Sequence, residues 1–532
     1  MRLRKEMPEL YELAPLAIVI ILLGASILYS ILSRRRAVKR YLYYSTFDPI
    51  LANLGFLFQL LGFLLTPAVA YAYYLQEYTG GVAISLSCAI LLLLGLLLTL
   101  FFEPKMLDLK QSCVLLVLYY ISVPFIISLQ FLQLGVFEGS FSERFLSSLF
   151  EAASAISTTG FTLLKGHILP RSIILARAIA EWNGGVGIIF LLLSSFYPSL
   201  SLSSYGKALG IERIGGDYKI SFAVVLLIYT FYTIVFSVLL LLLGMSPFEA
   251  IHTTLSVYST TGLTIVNVRM LPLAQRIIIV FMMLISAFSF SFHLKILSII
   301  LGINWNMLIK RRWKEFLSSI LKIKWRSILT GETKLHILII LIFTIIYYLA
   351  THIDPFDSFM HVLSSSASVG LNIIDPKEAS EAGKVVLIIV MLIGASSFSV
   401  GGGIRVYRFY ILGKTLLKAP QMFASGGEPE IKIDDRLVGF SEILMNFLII
   451  FLFVAFSAVS ALIFCVLGVS FSDALFESVS AISTTGSMLI DLTQAISSIH
   501  KFLLIILMLL GRIEILPAFI ALSSILMSEE RS

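Results

Sequence analysis

Carbonyls and hydroxyls gathered around one axis can replace the water shell of an alkali cation, and this chain repeats a tetrapeptide able to supply them. Ser157-Thr158-Thr159-Gly160, Ser259-Thr260-Thr261-Gly262 and Ser483-Thr484-Thr485-Gly486 are identical, and Ala367-Ser368-Val369-Gly370 is a degenerate fourth copy. Their glycines are 102 (262−160), 108 (370−262) and 116 (486−370) residues apart. One such glycine alone would read as a helix C-cap. Four in phase, each after a helix-like run and before an apolar span, mark four copies of one unit. A loop that turns its carbonyls to an axis needs backbone angles and close approach that glycine permits without steric cost. The third copy replaces Thr-Thr by Ser368-Val369, so the ring is chemically asymmetric and weaker selectivity is expected than from a symmetric one.

The elements that must position these loops follow from composition. The 532 residues are 58% hydrophobic and 13% charged, with mean hydropathy +0.96; soluble domains carry nearer 25% charge. Continuous apolar runs of bilayer length predict a polytopic helical membrane protein, and their continuity argues against a β-barrel. Spans are expected at 14–33, 51–75 and 81–102, the first followed by Arg34-Arg35-Arg36 and Lys39-Arg40, a stop-transfer flank rather than a cleavage site. Then a unit of long helix, short helix, glycine loop and second long helix recurs four times. In the first unit these are 111–134, 142–156 and 172–196; the second, third and fourth units run over 219–301, 335–413 and 438–527. Pro247-Phe248-Glu249 and Pro355-Phe356-Asp357 open two of the short helices with Pro at the first turn and an acid after it; Ser142-Glu143 and Ser472-Asp473 open the other two. Too short to span, these are pore helices, whose following loops are tolerable only where they line a cavity and whose C-terminal dipoles favour cations.

The net charge of +7 is concentrated between spans, reading as the positive-inside bias and not as nucleic-acid binding. Lys310, Arg311, Arg312, Lys314, Lys322, Lys324, Arg326 and Lys334 lie between units two and three, and Lys414, Lys418, Lys432 and Arg436 between three and four. These segments and 34–40 are expected to be cytoplasmic, with the glycine loops facing outwards in the cell membrane. Segment 302–334, with Trp305, Trp313 and Trp325, reads either as a docking or lipid-headgroup surface or as a plain positive-inside anchor.

Two further features fall inside spans. The run from Gly394 through Ser396, Ser397, Gly401, Gly402 and Gly403 interrupts an apolar segment with small residues; three glycines in a helix cost roughly 1 kcal/mol each. A broken helix with a mobile loop fits better than a close helix-packing patch. Arg512 and Glu514 put charge in a span, marking an ion path or a paired site, against a snorkelling arginine at a helix end. Arg177 and Glu181, spaced i,i+4, read as a structural ion pair, and His252 and His361 in pore helices as packing residues. Cys88, Cys113 and Cys465 lie in apolar runs with neither metal-ligand spacing nor a disulfide pattern. No nucleotide, hydrolase or metal motif is found, so an organic cofactor and a resident metal are not expected, and an integral-membrane enzyme or scaffold is the remote alternative.

Together these motifs resemble the Trk/Ktr/HKT superfamily of potassium transporters, and within it the TrkH-type membrane subunit, over roughly residues 50–527. Glu181-Trp182-Asn183-Gly184-Gly185-Val186-Gly187 resembles the family's aromatic-x-Gly-Gly-x-Gly stretch, and Ser289-Phe290-Ser291-Phe292-His293 its counterpart in unit two. Gly401-Gly402-Gly403-Ile404-Arg405-Val406 resembles Gly-Gly-Ile-Lys with Arg405 for the usual Lys, and Gly511-Arg512-Ile513-Glu514 resembles Gly-Arg-x-Glu. The two helices before the first unit match the Trk type, and the helix at 14–33 is extra.

The resemblance implies an all-α polytopic membrane protein with four pseudo-repeats around a central pore, and with the extra helix this chain has three N-terminal transmembrane helices. The segments are an extra helix and basic loop (1–50), a two-helix domain (51–109), and pore repeats at 110–218, 219–334 with the basic linker, 335–437 with the gating loop, and 438–532. It implies K⁺ held at Thr158, Thr159, Thr260, Thr261, Ser368, Val369, Thr484 and Thr485, a gate at 394–403 with Arg405, and repulsion of cations by Arg512. Glycine at all four positions goes in this family with potassium rather than sodium; a weakly selective or sodium-permeable channel is the rival reading. A homodimer, contact with membrane lipid and a TrkA-like cytosolic nucleotide-binding (RCK) regulatory subunit are the implied partners. Coupling to H⁺ or Na⁺, a symport, stays open beside simple uptake.

Overall fold

In hydrocarbon a backbone must satisfy its own hydrogen bonds, so apolar runs become helices. A computed structural model describes residues 10–33, 47–105, 107–164, 169–196, 222–290, 292–293, 295–296, 329–371, 373, 380–425, 431–433, 436–489 and 497–529. The basic loop 34–40 and most of 302–334, including the three tryptophans, lie outside these residues. Helices α1 (Leu10–Ser33), α2 (Asp48–Tyr74) and α3 (Tyr78–Phe101) come first. α2 and α3 approach closely where Gly55 faces the backbone of Gly95 and Gly62 faces Leu92; a methyl group at any of the three would meet the other helix.

Unit one is α4 (Leu109–Leu134), α5 (Phe141–Ile156) and α6 (Arg171–Phe196), and unit two α7 (Phe222–Leu242), α8 (Pro247–Tyr258) and α9 (Leu273–Ala287). Unit three is α10 (Gly331–Thr351), α11 (Pro355–Ser366), α12 (Glu381–Ile393) and α13 (Val406–Ser425). Unit four is α14 (Phe440–Val466), α15 (Phe471–Ile482), α16 (Ser498–Ile513) and α17 (Ile515–Glu529). Among the described residues the only strands are β1 (Ile431–Ile433) and β2 (Arg436–Val438), an antiparallel pair before unit four. Six described helices are long and apolar enough to cross a membrane, and α16 with α17 form a bent seventh candidate.

Two sequence expectations change. The caps of the first and fourth pore helices are Ser140 and Ser470, not Ser142 and Ser472. Only from Ser140 is Glu143 the third helical residue, where its carboxylate accepts the Ser140 amide at 2.8 Å and closes a capping box. Ser246, Asp354 and Ser470 accept from the amide three residues on in the same way. The second long helix is also not continuous in units two and four, where it stops at Ala287 and at Ile513, the latter with a 92° bend into α17; in unit three it stops at Ile393, at the break expected at Gly394. The backbone freed by these breaks is paired across units, with Ser396 N donating to Ala287 O at 3.0 Å and Phe290 N to Phe398 O at 2.8 Å.

The units close head to tail. Each second helix packs on the next unit's pore helix: α6 on α8, α9 on α11, α12 on α15, and α16 back on α5. At three seams a cation in the first turn of the second helix meets the opening of the next pore helix. Arg276 pairs with Asp357, Lys384 with Asp473 at 3.0 Å, and Lys501 donates to Ser147 at 2.9 Å beside Glu143. At the remaining seam Arg171 lies 5.6 Å over the Phe248 ring.

Asp357→Ala leaves Arg276 in a largely buried seam and is expected to lower stability by about 2–3 kcal/mol, whereas Arg276→Met with Asp357→Leu recovers most of it. Thermal unfolding of the detergent-solubilised variants measures this; equal losses in the single and double variants would contradict the seam as an ion-pair contact.

Candidate ion-conduction site

The four pore helices end on one local structure. After α5, Thr158 N donates to Ala155 O and Thr159 N to Ser154 O, and equivalent bonds follow α8, α11 and α15. The second residue of each tetrapeptide is left-handed, at φ 54° for Thr158, 65° for Thr260, 57° for Ser368 and 52° for Thr484. The fourth is a glycine at φ 91°, 72°, 69° and 77° in Gly160, Gly262, Gly370 and Gly486. An isolated threonine or serine in this region is uncommon, and three threonines and a serine at one phase show that the loop geometry is the repeated object.

The glycines then fix the ring. A Cβ on Gly160 would run into the carbonyl oxygen of Thr261, on Gly262 into that of Val369, on Gly370 into that of Thr485, and on Gly486 into that of Thr159. Each third-position carbonyl therefore stands against the glycine of the preceding unit, and the circuit closes from fourth to first. The pore helices end at Ile156, Tyr258, Ser366 and Ile482, directly before this ring, so their negative dipole ends are aimed at it.

Behind the ring, first- and third-position hydroxyls pair: Ser157 with Thr159 at 2.7 Å, Ser259 with Thr261 at 2.9 Å, and Ser483 with Thr485 at 2.8 Å. Unit three has Ala367 and Val369 at these places, so both partners are replaced by apolar groups together, the substitution that leaves no buried hydroxyl orphaned. A serine six residues before the glycine braces the next strand in three units. Ser154 Oγ donates to Phe161 O at 2.7 Å, Leu371 N donates to Ser364 Oγ at 2.7 Å, and Ser480 Oγ donates to Ser487 O at 2.7 Å. Glu151 and Glu477, nine before the glycine, accept from Leu163 N at 2.5 Å and Leu489 N at 2.8 Å. These braces have a sequence signal, their constant offset from the repeated glycine.

The interrupted helix of unit three lies against this ring. The chain leaves the helix at Gly394, whose φ of 70° and ψ of −156° suit only glycine, and resumes it at Val406. Between them it folds back on itself: Ala395 N donates to Gly402 O at 3.1 Å and Val406 N to Ala395 O at 3.0 Å. A side chain at Gly401 would meet Ala367 O, and one at Gly402 would meet Ser483 O and Thr484 Oγ1. The loop is thus packed under tetrapeptides three and four. Both earlier readings have a part here, since a broken helix uses its glycines for close packing.

Arg512 is 2% exposed and is no snorkelling end residue. It donates to Val400 O at 2.9 Å, Gly184 O at 2.7 Å and Gly185 O at 3.1 Å, pinning the loop to α6. Glu514 instead takes Arg408 at 2.7 Å and Arg405 at 3.3 Å, and Arg405 also donates to Ser399 Oγ and Gly401 O. Two of the three guanidinium groups share the one carboxylate, and the third, Arg512, is held by carbonyls alone. Arg408 has no sequence signal; only the fold brings it to Glu514. Arg177 lies 3.6 Å from Glu181 and 3.7 Å from Glu151, the expected ion pair extended to a triad. His252 and His361 pack against Phe248 and Tyr347. The three cysteines are free thiols.

With this geometry in hand, the family model described as TrkH, a cation transport protein, matches residues 89–532. The chain belongs to the TrkH family. It is 27% identical over 492 residues to an uncharacterized cation transporter of Methanocaldococcus jannaschii, covering 90% of this chain and 96% of that one. It is 26% identical over 398 residues to the Trk system potassium uptake protein TrkH of Halomonas elongata, covering 69% and 76%. The crystal structure of the potassium transporter TrkH from Vibrio parahaemolyticus superposes with a TM-score of 0.71 over 89% of this chain and 98% of that one, at 22% identity, a shared fold. As a TrkH-family chain it is a multi-pass membrane transport protein and not an enzyme.

Unit three supplies the control for the paired hydroxyls. Thr159→Val alone leaves the Ser157 hydroxyl only its long bond to Ser154 O at 3.3 Å and is expected to cost about 1 kcal/mol, while Ser157→Ala with Thr159→Val is close to neutral for folding. Thermal unfolding of both variants decides it, and equal destabilisation would count against the pairing.

Proposed function

We propose that this chain takes up potassium across the cell membrane. K⁺ exchanges its water for oxygens of Thr158, Thr159, Thr260, Thr261, Ser368, Val369, Thr484 and Thr485, passes the loop 394–405, and enters down the membrane potential, which supplies about 2.3 kcal/mol per charge for each 100 mV. The observation that carries this reading is the closed circuit in which four third-position carbonyls stand against four glycines. Such a ring offers fixed oxygens to a dehydrated monovalent cation. The names of the Trk and Ktr potassium uptake relatives support K⁺ as the ion.

The loop 394–405 is the gate, because it is the non-helical segment packed beneath the ring and its hydrogen bonds reach units two and four. Arg512 adds a positive charge that slows cations leaving the ring. The tetrapeptides face outwards and the basic linkers face the cytoplasm, where a nucleotide-binding regulatory subunit docks; two copies form the dimer. Weaker discrimination against Na⁺ is a second reading, favoured by the apolar Ala367 and Val369 in one of four loops.

Growth of a strain lacking potassium uptake at limiting K⁺ tests the reading, with the regulatory subunit co-expressed. The native chain restores growth and Gly262→Ala, whose methyl meets Val369 O, does not. Absence of rescue by well-expressed native protein would refute potassium uptake. Gly160→Ser, compared for K⁺ and Na⁺ flux, is expected to raise relative Na⁺ passage several-fold; an unchanged ratio would separate selectivity from this glycine.

A further inference from the structure

The loop 394–405 is held from two sides. Arg405, Arg408, Glu514 and Arg512 hold its second half, as described above. Its first half is held by α10, a helix with no part in the tetrapeptides. Ser397 N donates to Glu332 Oε1 at 2.6 Å. One turn later on the same helix face, His336 Nδ1 lies 3.0 Å from Ser396 Oγ and Nε2 lies 2.8 Å from Ser366 Oγ.

Ser366 is the last residue of α11, immediately before Ala367-Ser368-Val369-Gly370. The imidazole therefore bridges a pore-helix end to the start of the intramembrane loop. The position before the tetrapeptide is Ile156, Tyr258 and Ile482 in the other units and a serine only in unit three, the unit that carries the loop. His336, Ser366 and Ser396 are all essentially buried, so none of these bonds competes with bulk water. A singly protonated imidazole has one donor and one acceptor, so one serine donates a hydrogen bond to the ring and the other accepts one from it. Gly394 O, the carbonyl at the hinge, lies 3.5 Å from Ser366 Oγ, in line with this chain.

We infer that His336, with Glu332, is a positioning pair that holds the loop 394–405 beneath the ring and couples its departure to the third tetrapeptide. This inference rests on the conduction reading above and gives the loop a latch. The loop cannot withdraw without releasing Ser396 from His336 and Gly394 O from Ser366, so its departure is felt at the end of α11, directly before the third tetrapeptide. α10 begins at Gly331, so Glu332 and His336 lie in its first two turns.

The test uses purified full-length protein in proteoliposomes, with Rb⁺ flux read beside amide hydrogen exchange of the loop. His336→Ala is expected to raise Rb⁺ flux about tenfold and to speed exchange across 394–405 and 366–371 by a similar factor, the consequence of losing two buried hydrogen bonds. His336→Gln keeps a donor and an acceptor and falls between native and Ala. A merely structural histidine would loosen α10 broadly and lower the yield without raising flux per folded molecule. Folded His336→Ala with native flux and native loop exchange overturns the latch. If His336→Ala does not fold, Glu332→Ala and His336→Gln decide: native values in both overturn it, and faster loop exchange in either supports it. A native protein that passes no Rb⁺, yet whose loop exchange rises in His336→Ala, upholds the latch and removes the conduction reading instead.

Discussion

The structure depends on four contacts between an α-carbon and a carbonyl oxygen. Each loop glycine faces the carbonyl of the next unit so closely that no side chain fits between them. A ring built this way cannot be assembled by one unit, because each loop is one wall of its neighbour's position. The head-to-tail packing of α6 on α8, α9 on α11, α12 on α15 and α16 on α5 follows from the same closure. So do the seams at the pore-helix openings, where in three of the four the first-turn acid stands beside the preceding unit's second helix.

Non-helical backbone inside a membrane must find partners within the protein. The tetrapeptides use the last turns of their own pore helices, the serine and glutamate braces behind them, and first-to-third hydroxyl pairs. The broken second helices use one another: the loop of unit three accepts an amide from unit two, donates one to it, and receives Arg512 from unit four. Breaks that would each be costly alone thus become the partners that satisfy one another. This explains why three units interrupt the same helix while unit one, whose Gly184 and Gly185 carbonyls receive Arg512, keeps α6 intact.

Charge is distributed with the same economy. Glu514 neutralises Arg405 and Arg408, and Arg512 is left to backbone dipoles. A guanidinium solvated by carbonyls keeps its net charge beside the loop. Carboxylates elsewhere in the bundle hold loops: Glu151 and Glu477 behind the ring, Glu332 on the loop below it.

The sequence by itself determined the helical membrane class, the four-fold repeat, the tetrapeptides as one phase-locked set, the short helices before them and the break at Gly394. It could do so because apolar length, a recurring glycine and consecutive small residues are local signals. Even the corrected caps were legible, since Ser140, Ser246, Asp354 and Ser470 share one offset to an acid. Only the tertiary structure decided the breaks after Ala287 and Ile513, because Phe-Ser and Gly-Arg-Ile sequences are compatible with helix until a neighbouring loop offers their backbone other partners. Only it could place Arg408 on Glu514, or His336 between Ser366 and Ser396, residues 30 and 60 positions away. Such pairings carry no periodicity, and they exist because ring closure folds distant units onto one axis.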